Sequence, residues 1–345
     1  MKKSLIALAV LAASGASFAQ SSVTISGLID TGFVGTNYSG ATADTKGTAA
    51  NGSATTVLTV AGSEDLGGGL KANFQFQMTP DFTAGTSVSG LGQQAYVGLS
   101  GGFGEVQAGR VNSNALDAWG VGSAFGTAIG SGYGSNGNIY TRYSNAASAT
   151  VASESAPTRF NGAIRYISPA FNGFTASALI VPKKTDTDTQ SVTDIGVKYN
   201  NGPLNVAFAS QEVKETGTTA TDFVRGLGAN EKSKLNILSA NYTMGAATLL
   251  GGYWTEKLVN AAGVNTTDAK GYMIGGKYVI GAVTLIANYG KNDDKLVAAV
   301  DKKITGIGAD YALSKRTALY ARFDKRTSVG AEDITRTAVG VRHTF

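Results

Sequence analysis

The chain has 345 residues, a net charge of +5 and no cysteine. So small a charge excludes a partner recruited by bulk electrostatics, such as nucleic acid, and the lack of cysteine excludes disulfides and thiolate metal sites. Forty-six glycines against five prolines, with no collagen period, indicate many strands and turns.

The N-terminus reads as an export signal over residues 1–19. Met1-Lys2-Lys3 is the positive end, Leu5 to Ala13 the apolar core, and Ser17-Phe18-Ala19 a small-x-small cleavage site. Cleavage there leaves a mature domain of 20–345 with charge +3, since two lysines go with the leader. No segment approaches the roughly 18 apolar residues of a transmembrane helix.

Alternating segments of about ten residues follow, as in outer-membrane strands. Leu70-Lys71-Ala72-Asn73-Phe74-Gln75-Phe76-Gln77 is the clearest, with apolar even positions and polar odd ones. Sixteen such segments are expected, near 23–34, 54–64, 69–79, 92–101, 104–112, 160–168, 172–182, 190–200, 203–213, 233–244, 246–258, 269–279, 282–291, 302–313, 316–327 and 334–345. Short connections such as Gly101-Gly102-Phe103 and Met244-Gly245 alternate with long ones. An even strand number with turns at one end and loops at the other is the plan of an outer-membrane barrel. Sixteen strands enclose too wide a lumen for side chains to fill. The polar face must therefore line water, and the apolar face must meet lipid. The expected fold is an all-β, 16-stranded antiparallel transmembrane barrel.

The stretch 113–159 is too long for an ordinary connection. It is rich in glycine and nearly uncharged, which suits packing against another surface. This third loop is expected to fold into the lumen and narrow it.

Tyr166, Tyr199, Tyr242, Tyr278, Tyr311 and Phe345 recur every 33 to 43 residues. Each shares parity with the apolar residues before it, and the tyrosines all precede short turns. One such residue per hairpin describes an aromatic girdle where lipid meets water.

On the same parity the lumenal cations are Lys71, Arg165, Lys198, Lys277, Arg322 and Arg342, and the lumenal anions Asp30, Asp194, Asp310 and Asp324. Six against four leans weakly toward anions, because charge at a narrow point biases which ions enter. Arg159 and Arg142 border the third loop, and Asp117 and Glu154 are its acids. Arg110 has lipid-facing parity. It must sit at a strand end, or a bulge at Gly109 must turn it inward, since an arginine at the midplane costs about 2–4 kcal/mol.

Catalytic and cofactor chemistries find little support. His343, the sole histidine, falls on the outward face of the last strand. Asp186-x-Asp188 lacks the rest of a calcium loop. Gly67-Gly68-Gly69 lies between strands and is a hairpin turn, not a phosphate cradle. No cofactor and no metal are expected.

The chain resembles the general trimeric porins of Gram-negative bacteria, in their neisserial and β-proteobacterial branch. The matching stretches are Ser22 to Asp30, Gly62 to Ala72, Gln94 to Ser100, Gly104 to Arg110, Ile164 to Phe174 and Gly340 to Phe345. The resemblance implies a sixteen-stranded barrel, a homotrimer in outer-membrane lipid and lipopolysaccharide, and an inward-folded third loop. It further implies that Phe345 is read by the barrel-assembly machinery and that Arg110 faces the third loop across the lumen. The chain departs from the family at Val57 to Ala61, at Gln93 and at Gln77-Met78, where charged residues are common. The constriction ladder is thinner, and family selectivity does not carry over. A passive diffusion channel for small hydrophilic solutes leads. An outer-membrane barrel enzyme and a surface adhesin are the alternatives, and a plugged active transporter would need a larger barrel.

Overall fold

The computed structural model describes residues 22–80, 83, 93–133, 139–140, 159–182, 190–215, 230–298 and 301–345. The leader 1–19 lies outside the described residues. Seventeen strand segments form one antiparallel sheet. They are β1 Ser22–Tyr38, β2 Thr45–Ala50, β3 Val57–Gly67, β4 Leu70–Met78, β5 Ala95–Gly101, β6 Gly104–Asn112, β7 Arg159–Ile167, β8 Phe174–Val181 and β9 Gln190–Asn201. After them come β10 Leu204–Glu215, β11 Lys232–Met244, β12 Ala247–Val259, β13 Asn265–Ile280, β14 Val283–Asp294, β15 Lys302–Ala312, β16 Thr317–Ser328 and β17 Ile334–Thr344. A helix, α1 Asn114–Gly122, follows β6.

The last strand closes on the first. Leu28 to Tyr38 pair with Thr344 to Ile334, and Gly27 and Phe345 exchange backbone hydrogen bonds of 3.0 and 3.1 Å. Closure satisfies every strand edge in a medium that offers no hydrogen-bonding partners.

Seventeen segments make sixteen staves, because β2 and β3 share one. The upper part of β1 pairs with β2 (Thr31↔Ala50) and the lower part with β3 (Leu28↔Val57). Residues 51–56 leave the sheet between them. The sequence reading begins this stave at 54 and leaves 35–53 as loop. Alternation cannot show a stave that is broken and resumed.

Parity sorts the side chains as an outer-membrane barrel requires. On β9, Ile195 and Val197 are exposed while Asp194 is fully buried. The apolar residues are the exposed ones, the reverse of a water-soluble core. Two small residues near the closure, Gly32 and Ala61, belong to the lumenal face. Gly32 has the parity of Asp30 and lies against the Tyr320 hydroxyl. Ala61 pairs with Gln75, which pairs with Tyr96, and these face the lumen.

Candidate functional site

The lumen is narrowed by the third loop. Ser113 caps α1, its Oγ accepting from the Leu116 amide at 3.0 Å, and Asp117 in the first turn suits the positive end of the helix dipole. Asp194 on β9 accepts from the Asn114 amide at 2.7 Å, and the Asn114 side chain donates to the Asp194 carbonyl at 2.8 Å. The helix start is thus tied to the barrel wall.

The chain's two tryptophans meet inside the barrel. Trp119 of α1 and Trp254 of β12 stand 5.8 Å apart, with Tyr140 5.3 and 5.0 Å from them. Trp254 fits because β13 has glycine beside it. A Cβ on Gly271 would come within 2.1 Å of the indole. Farther along, the Gly130 amide donates to Asp324 at 2.8 Å, and Phe125 lies 5.7 Å under the Arg322 guanidinium. The loop therefore follows the inner wall from β9 round to β16.

A second constriction adjoins the far end of the third loop, where Ile129 packs on Tyr320. The turn 51–56 folds inward over Asp30. Its carboxylate accepts from the amides of Gly52, Ser53 and Ala54 at 3.3, 2.7 and 2.6 Å, and from the Tyr320 hydroxyl at 2.6 Å. Ser53 Oγ then accepts from Arg322 at 3.1 Å and from Arg342 at 3.3 Å. Asp310 joins both arginines, at 2.6 and 3.0 Å.

Charged groups inside the lumen are mostly spent on one another. Asp117 takes Arg165 at 2.6 Å and Lys198 at 3.0 Å. Burial opposes ionisation of Asp117, but the two cations outweigh it and hold the carboxyl below its usual range. Asp324 pairs with Arg336, a further lumenal cation that shares the parity of Arg342 and is missing from the set read from the sequence.

The outcome is an asymmetry of access. Asp30, Asp194, Asp310 and Asp324 are all buried, between 0 and 8% exposed. Among the cations, the side chains of Lys198 and Arg342 keep 37 and 33% of their surface, and Lys71 is exposed near the short-turn mouth. Lys277 is partly buried on the β13 wall. These four aspartates hold the lining together, with Arg165, Arg322 and Arg336 buried beside them, while Lys198 and Arg342 reach the water; at the short-turn mouth the exposed Asp65 stands opposite Lys71.

Arg110 requires correction. It pairs with Ala95, on the face of Val97 and Ala108, so it does not enter the lumen. Its Nε donates to the Gln93 carbonyl at 2.9 Å and its Nη1 to Asn161 at 2.7 Å. The register shift between Gly109 and Val111 does exist, with Gly109 at φ 143°. It leaves Arg110 outside at the strand end and turns the next residue, Val111, inward into full burial. Arg159 begins β7 opposite Asn112. Arg142 and Glu154 lie outside the described residues.

The aromatic residues occupy one end of the outer face, beside the short turns. Tyr166, Tyr242, Tyr278, Tyr311 and Phe345 are 40 to 51% exposed, and Tyr199 is half-buried against Phe174, ring centroids 4.5 Å apart. A second set, not legible from spacing, lies toward the loops. Tyr253 faces Tyr272 across β12 and β13, and the Tyr272 ring is 6.2 Å from that of Tyr289.

A family model described as "Gram-negative porin" matches residues 5–330. The chain belongs to the Gram-negative porin family. Among porins, the outer membrane porin protein 32 of Delftia acidovorans is 34% identical, with both chains fully covered. The major outer membrane protein P.IB of Neisseria lactamica is 27% identical over 82% of this chain and 81% of its own. The solved anion-selective porin from Comamonas acidovorans shares the fold with a TM-score of 0.80 and 27% identity, over 94% of this chain and all of that one. As a porin of the outer membrane, the protein forms a water-filled channel for small hydrophilic solutes and ions.

Proposed function

We propose that this porin passes anions slightly better than cations, as a non-catalytic homotrimer. The observation that carries the preference is the unequal exposure of the lumenal charges. Asp30, Asp194, Asp310 and Asp324 are screened by bonds to the lining, whereas Lys198 and Arg342 face water. A mobile anion meets their field where the dielectric is below that of bulk water. The anion-selective porin from Comamonas acidovorans has the same fold and supports this direction. Trimerisation is supported by an apolar groove of ≈ 610 Å³ on the outer face of β3 to β6, where Phe74, Val97, Leu99 and Ala108 await cover. His343 is bonded at 2.9 Å to Thr317 on the outer face, which does not suit a general base acting in the lumen. Residues 1–19 act as the cleaved leader, Phe345 presents the terminus to the barrel-assembly machinery, and the girdle rings rest at the interface with lipid and lipopolysaccharide.

The test is the reversal potential and unitary conductance of purified protein in a planar bilayer under a KCl gradient. Conductance steps in threes with a potential favouring chloride are expected. A potential favouring potassium would overturn the anion preference, and absence of steps would bring forward the enzyme and adhesin readings.

A further inference from the structure

A lysine stands eight residues before the girdle tyrosine on three alternate strands: Lys234 and Tyr242 on β11, Lys270 and Tyr278 on β13, Lys303 and Tyr311 on β15. Eight is even, so each lysine shares the outward face of its tyrosine. Eight residues span about 26 Å of strand. At a tilt of about 35–45° that is about 20 Å of height, near the far edge of an apolar band about 25 Å tall. The intervening strands return lysines to the same level, so that several stand directly opposite one another. Lys214 pairs with Lys232, Lys234 with Lys257, and Lys291 with Lys303.

Like charges opposed across a strand pair are destabilising. The local carboxylates balance them only in part: Asp293 takes Lys291 at 2.5 Å and stands opposite Lys270, and Asp268 stands opposite Lys257, which leaves seven lysines against Glu212, Asp268 and Asp293. Glu212 alone serves Lys214, Lys232 and Lys234, at 2.8, 3.0 and 3.1 Å. Lys257 and Lys303 are exposed. Just below, Tyr253, Tyr272 and Tyr289 mark the edge of the apolar surface. Lysine stems can lie along that surface and carry their ammonium groups up to the headgroup level. Around β1 and β3 to β8, the outward positions at this height carry no lysine among the described residues, and Arg110 there is bonded to Gln93 and Asn161.

We propose that this arc, on β10 to β15, is a binding belt for the phosphate groups of a phosphorylated glycolipid in the outer leaflet, as on the lipid A part of lipopolysaccharide. An apolar wall topped by cations matches acyl chains topped by phosphates. The anion comes from the membrane, because the site is a rim above a lipid-facing surface and encloses nothing. The proposal rests on the outer-membrane reading and goes beyond it in naming the residues and the side of the barrel.

The test compares wild type with Lys257→Gln/Lys303→Gln by thermal melting of refolded barrels in detergent. The probes are bisphosphorylated lipid A, phosphatidylcholine and inorganic phosphate. Lys257→Arg/Lys303→Arg is the control for charge, and gel heat-modifiability confirms folding of each protein. Without added lipid the Gln variant should melt close to wild type, because the repulsions of Lys257 with Lys234 and of Lys303 with Lys291 are lost together with the attraction of Lys257 to Asp268. Lipid A should raise the wild-type and Arg-variant midpoints, with at least fivefold weaker apparent binding by the Gln variant. Equal binding by wild type and the Gln variant, or equal stabilisation by phosphatidylcholine, would overturn the belt. Equal stabilisation by inorganic phosphate alone would overturn the glycolipid assignment. Channel conductance of the same samples separates this outcome from failure of the porin reading, which would show as lipid binding without current.

Discussion

Asp30 provides the sharpest test of the second constriction. Removing its carboxylate by Asp30→Ala deletes acceptors for three backbone amides and the Tyr320 hydroxyl. Hydrogen bonds to a charged group contribute about 1.5–3 kcal/mol each, so the four together supply about 6–12 kcal/mol before non-additivity. Ordering the six residues 51–56 costs about 1–2 kcal/mol per residue, which is also about 6–12 kcal/mol. The two terms nearly cancel, so without the carboxylate the turn is left to the bonds of Ser53 with Arg322 and Arg342 and of Thr56 with the Asp30 backbone. Asp30→Ala should release the turn into the lumen water. Single-channel recording should then show a larger, noisier open state and a shift of reversal potential toward chloride. Asp30→Asn, which keeps one acceptor oxygen, should fall between. The heat-modifiable band on gels checks that the barrel still closes. A folded Asp30→Ala channel with wild-type conductance and noise would refute the reasoning and leave 51–56 as a wall irregularity.

Arg342→Gln and Lys198→Gln should each lower chloride preference under a KCl gradient, and the double variant should do so more strongly. Arg110→Ala should leave the reversal potential unchanged, because the guanidinium lies outside the lumen beside Gln93 and Asn161. Trp254→Ala should cost about 3–5 kcal/mol of packing, and its readout is increased current noise as the third loop loosens. The Asp117 latch should depend on pH. Its carboxyl is held below the usual range in the folded protein, so the latch is fully present above the ordinary value of about 3.9 and weakens as pH falls below it toward the folded value. Recording at neutral pH and down through that window should show a stable current giving way to a noisier one, and Asp117→Asn should be noisy at neutral pH already.

Much of this protein follows from the sequence alone, because a strand in a barrel repeats every two residues. Parity sent Ile195, Val197 and Tyr199 outward and Asp194 and Lys198 inward without any knowledge of neighbours. The closed barrel follows from strand number and from the absence of backbone partners in lipid. Glycine content and length were enough to send the third loop inward, as its described residues 113–133 and 139–140 lie. Other features depend on partners that meet only after closure. Asp30 and Tyr320 are 290 residues apart, and the turn between them leaves no periodic trace in 51–56. The bulge at Gly109 shifts parity by one residue, and only cross-strand register shows that Val111, and not Arg110, turns inward. Equal numbers of exposed and buried charges look alike in a sequence. Which aspartates are screened, and which lysines stand against lysines, is decided by the pairing of neighbouring strands, since the energies involved act through space across some 5 Å.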